Sequence, residues 1–308
     1  MPLDPQVQEF LDTFNKMPIP PLHTIDPKLI RSMEGEMAEQ RQSTPVHEVT
    51  DIQMELADRT INVRKYTPYE QPIHPAIVFY HGGGWVLGSL DSHDELCRRL
   101  SVAAGAVVIA VEYRLAPENP YPAAVWDAYN ALCYIAEHAA EWGVDKQAIA
   151  VAGDSAGGNL AAVVCLIAKD KGAPSIKGQL LIYPSTGKGE NTDSYRENGQ
   201  GYMLTAETMT WFRQSYFSKG ENQDQPYASP LLYSDLSGLP PAIIITAQYD
   251  PLRDDGAQYA DSLQQAGNTV EYQNEEGMIH GFLSMLQFDR SGEVLQEAGE
   301  KIRHILLS

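Results

Sequence analysis

A serine lies in a glycine-rich turn between an apolar strand pattern and an apolar helix pattern. The motif GDSAG (153–157) follows the run AIAVAG (148–153) and leads into NLAAVVCLIAKD. A turn this sharp strains the serine and exposes its Oγ, and small flanking residues let the neighbouring backbone pass close by. G-x-S-x-G also arises by chance, and Ser155 could simply cap the helix. The strand before the serine and the helix after it favour a nucleophile instead.

A serine hydroxyl needs a base to take its proton, and the base needs a group that holds its tautomer. Asp250 follows an apolar strand pattern, and His280 stands beside a glycine in the segment EEGMIHGF. Functional groups of such sheets gather beyond the carboxyl ends of strands. The chain order Ser155, Asp250, His280 is that of an α/β-hydrolase, so we predict these three as catalytic residues. The alternative is that Asp250 only caps a helix and that Asp254 or Asp255 takes its role.

Three consecutive glycines end another apolar run, in FYHGGGW (79–85). Attack on an ester carbonyl produces an oxyanion, which needs backbone N–H donors already aimed at it. Residues without a Cβ let their amides approach closely, so Gly82 to Gly84 are candidate donors, together with Ala156 at the helix start. We expect His81 to hold this loop through hydrogen bonds. Phosphate binding is the alternative, but G-x-G-x-x-G and G-K-[ST] spacings are missing and no Lys or Arg adjoins the loop in the sequence.

Short β-branched runs alternate with helical patterns, which is typical of a mainly parallel sheet covered by helices on both faces. The runs lie at 76–80, 106–113, 148–153, 179–184, 242–247 and 269–273. An earlier alternating segment (53–68) predicts a hairpin around Asp58 and Arg59 that adds antiparallel edge strands. The sequence therefore predicts one doubly wound α/β domain.

Two segments do not follow this alternation, residues 1–45 and 186–226. Both contain apolar residues at helical spacing, such as Val7 and Leu11, or Met209 and Phe212. Helices that bind a membrane or a partner are one interpretation. We predict instead a helical cap from these segments over a catalytic domain of residues 46–185 and 227–308. Candidate substrate-pocket residues are Trp85, Leu204, Met209 and Phe212, for which packing within the cap is an equally good explanation.

The 308-residue chain is acidic, with 41 Asp and Glu against 22 Lys and Arg and a formal net charge of −19. This charge repels phosphate backbones and anionic membranes, so nucleic acid is not an expected partner. Three cysteines without paired spacing argue against a disulfide framework and a zinc site. The N-terminus lacks a signal-peptide pattern and no stretch is long enough to span a membrane. We expect a cytoplasmic protein, with a secreted mature form as the alternative.

The chain resembles the bacterial hormone-sensitive-lipase-like carboxylesterases over nearly its whole length. The matching motifs are HGGGWVLG (81–88), EYRLAPENPYPAA (112–124), GDSAGGNLAA (153–162), DPLRDDG (250–256) and HGF (280–282). The resemblance implies an α/β-hydrolase fold, with a mostly parallel central sheet flanked by helices and a helical cap. It also implies cleavage of short- to medium-chain acyl esters without metal or cofactor.

The same resemblance implies a role for each residue of the motifs. Ser155 would be the nucleophile, His280 the base and Asp250 the group that orients it. Gly83, Gly84 and Ala156 would be the oxyanion donors. From the residues themselves, we expect His81 and Gly82 to support the loop. Related plant gibberellin receptors have lost the catalytic histidine, whereas His280 is present here.

Two other functions stay open at this point. One is a module on a hydrolase scaffold that binds a small molecule without turnover. The other is hydrolysis of an amide, a lactone or an acetylated sugar, because the nucleophile chemistry is shared and selectivity depends on the pocket walls. The oligomeric state is not indicated by any pattern.

Overall fold

The computed structural model describes residues 1–38, 43–188, 190–217 and 223–308. Within these ranges the strands are β1 Glu48–Glu55, β2 Thr60–Thr67, β3 His74–Tyr80, β4 Val107–Val111, β5 Val144–Asp154, β6 Gly178–Ile182, β7 Ala242–Tyr249 and β8 Val270–Ile279. The helices of the same ranges are α1 Pro5–Phe14, α2 Pro27–Ala38, α3 Asp94–Ala104, α4 Ala123–Glu137, α5 Ala156–Lys171, α6 Asp193–Asn198, α7 Ala206–Tyr216, α8 Arg253–Gln265 and α9 Asp289–Leu307.

All eight strands belong to one sheet, in the order β1-β2-β4-β3-β5-β6-β7-β8. From β4 to β8 the neighbouring strands are parallel, whereas β2 is antiparallel to both β1 and β4. The predicted α/β fold with a mostly parallel sheet and an antiparallel hairpin at its edge is confirmed.

The last strand is longer than the apolar run at 269–273 indicates. β8 continues to Ile279, and Asn274 and Glu275 pair with Thr246 and Ala247 of β7. This second half of the strand is mostly buried, but it begins with polar residues such as Glu275, which is buried and paired with Arg290, so a search for apolar runs stops before it. The prediction of the strand end was wrong for this reason.

The sheet carries a hydrophobic core on each face. Alternate residues of one strand point to opposite faces: Val78 joins the core under α4, α5 and α8, and Phe79 joins the core under α3 and α9. α5 is enclosed almost completely, since every residue from Ala156 to Ala168 is buried. An apolar surface on all sides is what a central helix requires.

The segments expected to form a cap pack in two different ways. α1 inserts Val7 and Leu11 into the core on the α9 side. α7 buries Met209 and Tyr216 and contacts the turn at Leu22–Thr24, so the two segments touch each other. Parts of the expected cap, at 39–42, 189 and 218–222, lie outside the described residues.

The three cysteines are free thiols, Cys97 and Cys165 buried and Cys133 half-buried. In the part of the chain that the structure describes, no group of three His, Cys, Asp or Glu side chains could hold a metal ion. No helix of that part has both the length and the apolar character needed to cross a membrane.

Candidate active site

Ser155 occupies the turn between β5 and α5 in a strained backbone conformation. Its φ of 55° and ψ of −115° are rare for a residue with a side chain. The turn is possible because glycines flank it: a Cβ at Gly157 would overlap the carbonyl oxygen of Tyr80, and one at Gly153 would overlap that of Gly157. The Ser155 amide donates to the carbonyl of Ile182 at 2.8 Å, which ties the turn to the neighbouring strand.

The three predicted catalytic residues meet at the carboxyl edge of the sheet. Ser155, Asp250 and His280 are each the first residue after a parallel strand, namely β5, β7 and β8. His280 Nε2 lies 2.9 Å from Ser155 Oγ, and His280 Nδ1 lies 2.7 Å from Asp250 Oδ2. Because an ionised carboxylate only accepts, Nδ1 carries the proton and Nε2 is free to accept one from the hydroxyl.

Asp250 combines the two roles that the sequence left as alternatives. Its Oδ2 faces His280, while its Oδ1 accepts the amide of Leu252 at 2.7 Å, just before α8 begins. Asp250 is completely buried. Asp254 instead accepts the amide of Ser194 at 2.8 Å, and Asp255 accepts that of Gly187 at 3.0 Å. The carboxylate at the strand end is therefore the one that contacts the imidazole.

The glycine-rich loop after β3 leaves two amides unused. Among the described residues, the N–H groups of Gly83, Gly84 and Ala156 have no acceptor, whereas that of Gly82 donates to Asp154 Oδ1 at 2.8 Å. Gly83 and Gly84 have φ values of +112° and +61°, where a side chain strains the backbone. Unused donors at a helix start and in a bare loop suit a developing negative charge.

His81 lies beneath this loop and stacks on Tyr113, with the ring centroids 4.3 Å apart. Burial lowers the pKa of His81 to about 3, so its ring is neutral at neutral pH. Its Nδ1 lies 2.8 Å from the carbonyl oxygen of Gly82, a hydrogen bond within the loop itself. The Tyr113 hydroxyl donates to the carbonyl of His81 at 2.7 Å. These contacts agree with the predicted role of His81 as a support of the loop.

A cavity of about 460 Å³ opens over the serine and the loop. All four predicted pocket residues line it: Trp85, Leu204, Met209 and Phe212. Trp85 is only 5% exposed and stacks on Tyr216, with the ring centroids 4.4 Å apart. Most of its surface therefore contacts other side chains and not the cavity. Sequence reasoning missed further lining residues, the apolar Leu22, Met203, Leu252 and Met285 and the polar Glu34, Ser92, His93 and Asp154.

The folded chain places a cation near the glycine loop, although no Lys or Arg adjoins the loop in the sequence. Arg31 of α2 donates from Nε to the carbonyl of Val86 at 2.7 Å and from Nη2 to that of Ala116 at 2.7 Å. It also pairs with Glu118. A residue 55 positions away in the chain was outside the reach of a local motif. The donors of Arg31 are directed to two carbonyl groups and a carboxylate. Arg31 therefore gives no support to a phosphate site.

Comparison with known proteins identifies the family. A family model described as the alpha/beta hydrolase fold matches residues 77–284. Carboxylic ester hydrolase LipN of Mycobacterium tuberculosis is 42% identical, over 92% of this chain and 78% of the relative. The arylesterase of Saccharolobus solfataricus is 35% identical, over 96% of this chain and 97% of the relative.

Solved structures agree with these relatives. The hyperthermophilic esterase from the archaeon Pyrobaculum calidifontis has a TM-score of 0.95 and 42% identity, and each chain is covered completely. The chain belongs to the α/β-hydrolase fold family, and its predicted place among the hormone-sensitive-lipase-like members is confirmed.

Proposed function

We propose that this protein is a serine carboxylesterase that hydrolyses short- to medium-chain acyl esters through an acyl-enzyme intermediate. The observation that carries the proposal is the uninterrupted pair of hydrogen bonds from Ser155 through His280 to Asp250, beside amides without an acceptor. Relatives named as ester hydrolases support the reaction class.

In the first half of the reaction, Ser155 Oγ attacks the ester carbonyl while its proton moves to His280 Nε2. The carbonyl oxygen becomes an oxyanion, which accepts from the amides of Gly83, Gly84 and Ala156. Asp250 holds the Nδ1–H of the ring and stabilises the imidazolium that forms. When the tetrahedral intermediate collapses, the C–O bond to the alcohol breaks and the alcohol leaves with the proton from Nε2.

The second half reverses these roles with water. His280 takes a proton from water, the hydroxyl attacks the acyl carbon, and the same amides hold the oxyanion. Collapse breaks the bond to Ser155 Oγ, which recovers its proton from Nε2, and the carboxylic acid leaves. No step requires a metal or a cofactor.

We also propose that residues 1–45 and 186–226 act as a cap over the catalytic domain. Leu22 and Glu34 from the first segment and Leu204, Met209 and Phe212 from the second line the cavity. A volume of about 460 Å³ lies at the lower end of ordinary ligand pockets, which supports a short or medium acyl chain. Apolar walls there suit an uncharged acyl group.

Replacement of Ser155 by Ala tests the proposal. With p-nitrophenyl butyrate, kcat should fall at least about 10⁴-fold because the nucleophile is lost. The matched control is Ser175→Ala, an exposed serine outside the cavity, which should keep wild-type kinetics. Wild-type protein should also show a burst of p-nitrophenol when deacylation is slow.

Two outcomes would reject the proposal. Ser155→Ala with wild-type activity would remove the nucleophile from its role. Wild-type protein that binds esters in the cavity without turnover would favour the binding module. A series of p-nitrophenyl esters of increasing acyl length would then measure the depth of the pocket, and the corresponding p-nitroanilides would test cleavage of amides.

A further inference from the structure

A second polar cluster lies behind the glycine loop and takes no part in the proposed proton transfers. It consists of Glu34 on α2, His93 just before α3 and Asp154 at the end of β5, and we call it the loop cluster. His93 and Asp154 are buried and Glu34 is half-buried, yet all three border the cavity. Charged groups in such a position are costly unless they are paired.

The two carboxylates of the loop cluster hold opposite ends of the glycine loop. Asp154 Oδ1 accepts the amide of Gly82 at 2.8 Å, and Glu34 Oε2 accepts the amide of Gly88 at 3.1 Å. Between these anchors lie Gly83 and Gly84, and the Gly83 carbonyl accepts the amides of Val86 at 3.1 Å and Leu87 at 2.8 Å, so the two carboxylates add to restraints within the loop. Hydrogen bonds to ionised acceptors are stronger than those between neutral groups, so carboxylates are well suited to hold the ends of the loop.

His93 contacts Asp154 and lies near enough to Glu34 for the two charges to interact. Its Nε2 lies 3.2 Å from Asp154 Oδ1 and 3.4 Å from Oδ2, and its Nδ1 lies 2.8 Å from Ser92 Oγ. Burial opposes a charge on His93, but the charge and hydrogen bond of Asp154 and the charge of Glu34 outweigh it and raise its pKa. Burial also opposes a charge on Glu34 and raises the pKa of this carboxyl group. The Gly88 amide and the charges of His93 and Arg31 offset only part of that rise.

Among the residues that the structure describes, the other titratable groups around His93 do not supply a second cation at its position. His81 stacks near it, with ring centroids 5.5 Å apart, and is neutral. Burial raises the pKa of Tyr113 and of Cys97, so both are neutral as well. Arg31 faces Glu34 and its charge is directed to Glu118 and two carbonyl groups.

We propose that Glu34, His93 and Asp154 are positioning residues that hold the oxyanion loop at both ends, with the His93 imidazolium offsetting the two carboxylates. Without that positive charge, two carboxylates close to the loop would repel the developing oxyanion. The amides of Gly83 and Gly84 would still be present but less favourably placed. This inference rests on the proposed esterase function, in which these amides stabilise the transition state.

The variants that test it are His93→Gln, Glu34→Ala and Glu34→Gln, with His304→Gln and Glu36→Gln as exposed controls. Each is assayed with p-nitrophenyl butyrate and with 1,1,1-trifluorohexan-2-one. The ketone carbon bonds to Ser155 Oγ, whose proton passes to His280, and its oxygen becomes an oxyanion. The inhibitor therefore reports on the loop without a leaving group.

We expect His93→Gln to lower kcat about 30-fold with little change in KM, because the lost interaction acts mainly in the transition state. Glu34→Ala should lower kcat about 10-fold, and Glu34→Gln, which keeps an acceptor for Gly88, should recover part of that loss. The inhibition constant of the ketone should rise by the same factor as kcat/KM falls in each variant. A change in packing alone would not produce this proportionality.

The pH profile supplies a second readout. The pKa of His93 is raised, so its positive charge is present below that pKa and lost above it. Wild-type kcat/KM should therefore fall as the pH rises through that raised pKa and His93 loses its proton. His93→Gln should lack this fall, whereas the control His304→Gln should keep it. If His93→Gln does not fold, the Glu34 pair and the wild-type profile still decide the question.

The results separate the two proposals. Ester hydrolysis abolished in Ser155→Ala, with cluster variants that match their controls in kcat, ketone inhibition and pH profile, would overturn this inference alone. A wild-type protein that does not hydrolyse esters would instead overturn the proposed function. Losses confined to KM would also contradict the positioning role.

Discussion

The proposed catalytic residues and the proposed oxyanion loop are held in place by different means, although they face the same cavity. Ser155, Asp250 and His280 each follow a parallel strand, so the hydrogen-bonded register of the sheet determines their separation. The loop, by contrast, depends on side chains from distant segments. Arg31 and Glu34 from α2 bind its backbone, and Phe212 from α7 packs on Gly84.

The two parts of the site should therefore respond differently to side-chain substitutions. A ladder of main-chain bonds tolerates many side-chain substitutions, so the geometry of the three catalytic residues should be robust. A loop tied by a few side chains changes position when one of them is altered. We therefore expect changes on the α2 and α7 side to reach the reaction through the oxyanion loop, while the triad keeps its geometry.

The largest effect is expected at the sheet edge. Asp250→Asn should lower kcat about 10⁴-fold, because an amide no longer holds His280 in the tautomer that accepts the serine proton. Asp254→Asn is the matched control, since Asp254 binds the Ser194 amide instead. Its activity should stay within a few-fold of wild type under the same assay. Equal losses in both variants would show that the strand-end carboxylate has no special role.

Gly84→Ala should have the next largest effect, since it strains the loop and meets the cap. The φ of +61° is unfavourable for alanine, and the new Cβ would overlap the ring of Phe212. Loss of one oxyanion donor lowers kcat about 10²- to 10³-fold. The double variant Gly84→Ala, Phe212→Ala should recover part of the rate. If it recovers nothing, the overlap with α7 is not what displaces the loop.

A stability measurement tests how the start of the second proposed cap segment is anchored. Burial raises the pKa of Asp255 to about 6, and its carboxylate accepts the amide of Gly187. Between about pH 4 and 6 the unfolded chain binds fewer protons here than the folded one, so this group lowers stability as pH rises. Asp255→Asn should match wild type near pH 4 and exceed it by about 3 kcal/mol at pH 7.

Urea unfolding at the two pH values measures this difference, with the exposed Asp261→Asn on the same helix as control. A wild-type protein and an Asp255→Asn variant with the same pH dependence would show that Asp255 titrates as it does in the unfolded chain. The anchor at Gly187 would then not depend on the protonation of this carboxyl group.

The smallest effect is expected for Arg31→Met. The variant loses hydrogen bonds to the carbonyls of Val86 and Ala116, which should lower the free energy of unfolding by about 2 kcal/mol. The displaced loop should lower kcat about 10-fold, and the inhibition constant of 1,1,1-trifluorohexan-2-one should rise by a similar factor because its oxyanion uses the same amides. Lys28→Met, an exposed change on the same helix, should alter none of these quantities. A lower kcat with an unchanged inhibition constant would show that Arg31 does not act through the loop.

The sequence by itself determined the features that depend on neighbouring residues. An apolar strand followed by glycines and an apolar helix specifies the turn at Ser155, because backbone conformation there depends on local crowding. The alternation of strands and helices likewise indicated the parallel sheet, and the order of motifs indicated which aspartate and histidine would join the serine. These predictions needed no knowledge of distances between segments.

Tertiary structure alone decided which distant residues support the loop. Asp154 stood next to the serine in the motif, and a charged residue at the end of a buried strand was a signal that could have been used. His93 and Glu34 carried no such signal: they lie 61 and 120 positions from Asp154 in the chain, and all three border one cavity only after the chain has brought α2, α3 and β5 together. The pairing of charges depends on separation in space and on burial, and neither is encoded by spacing along the chain.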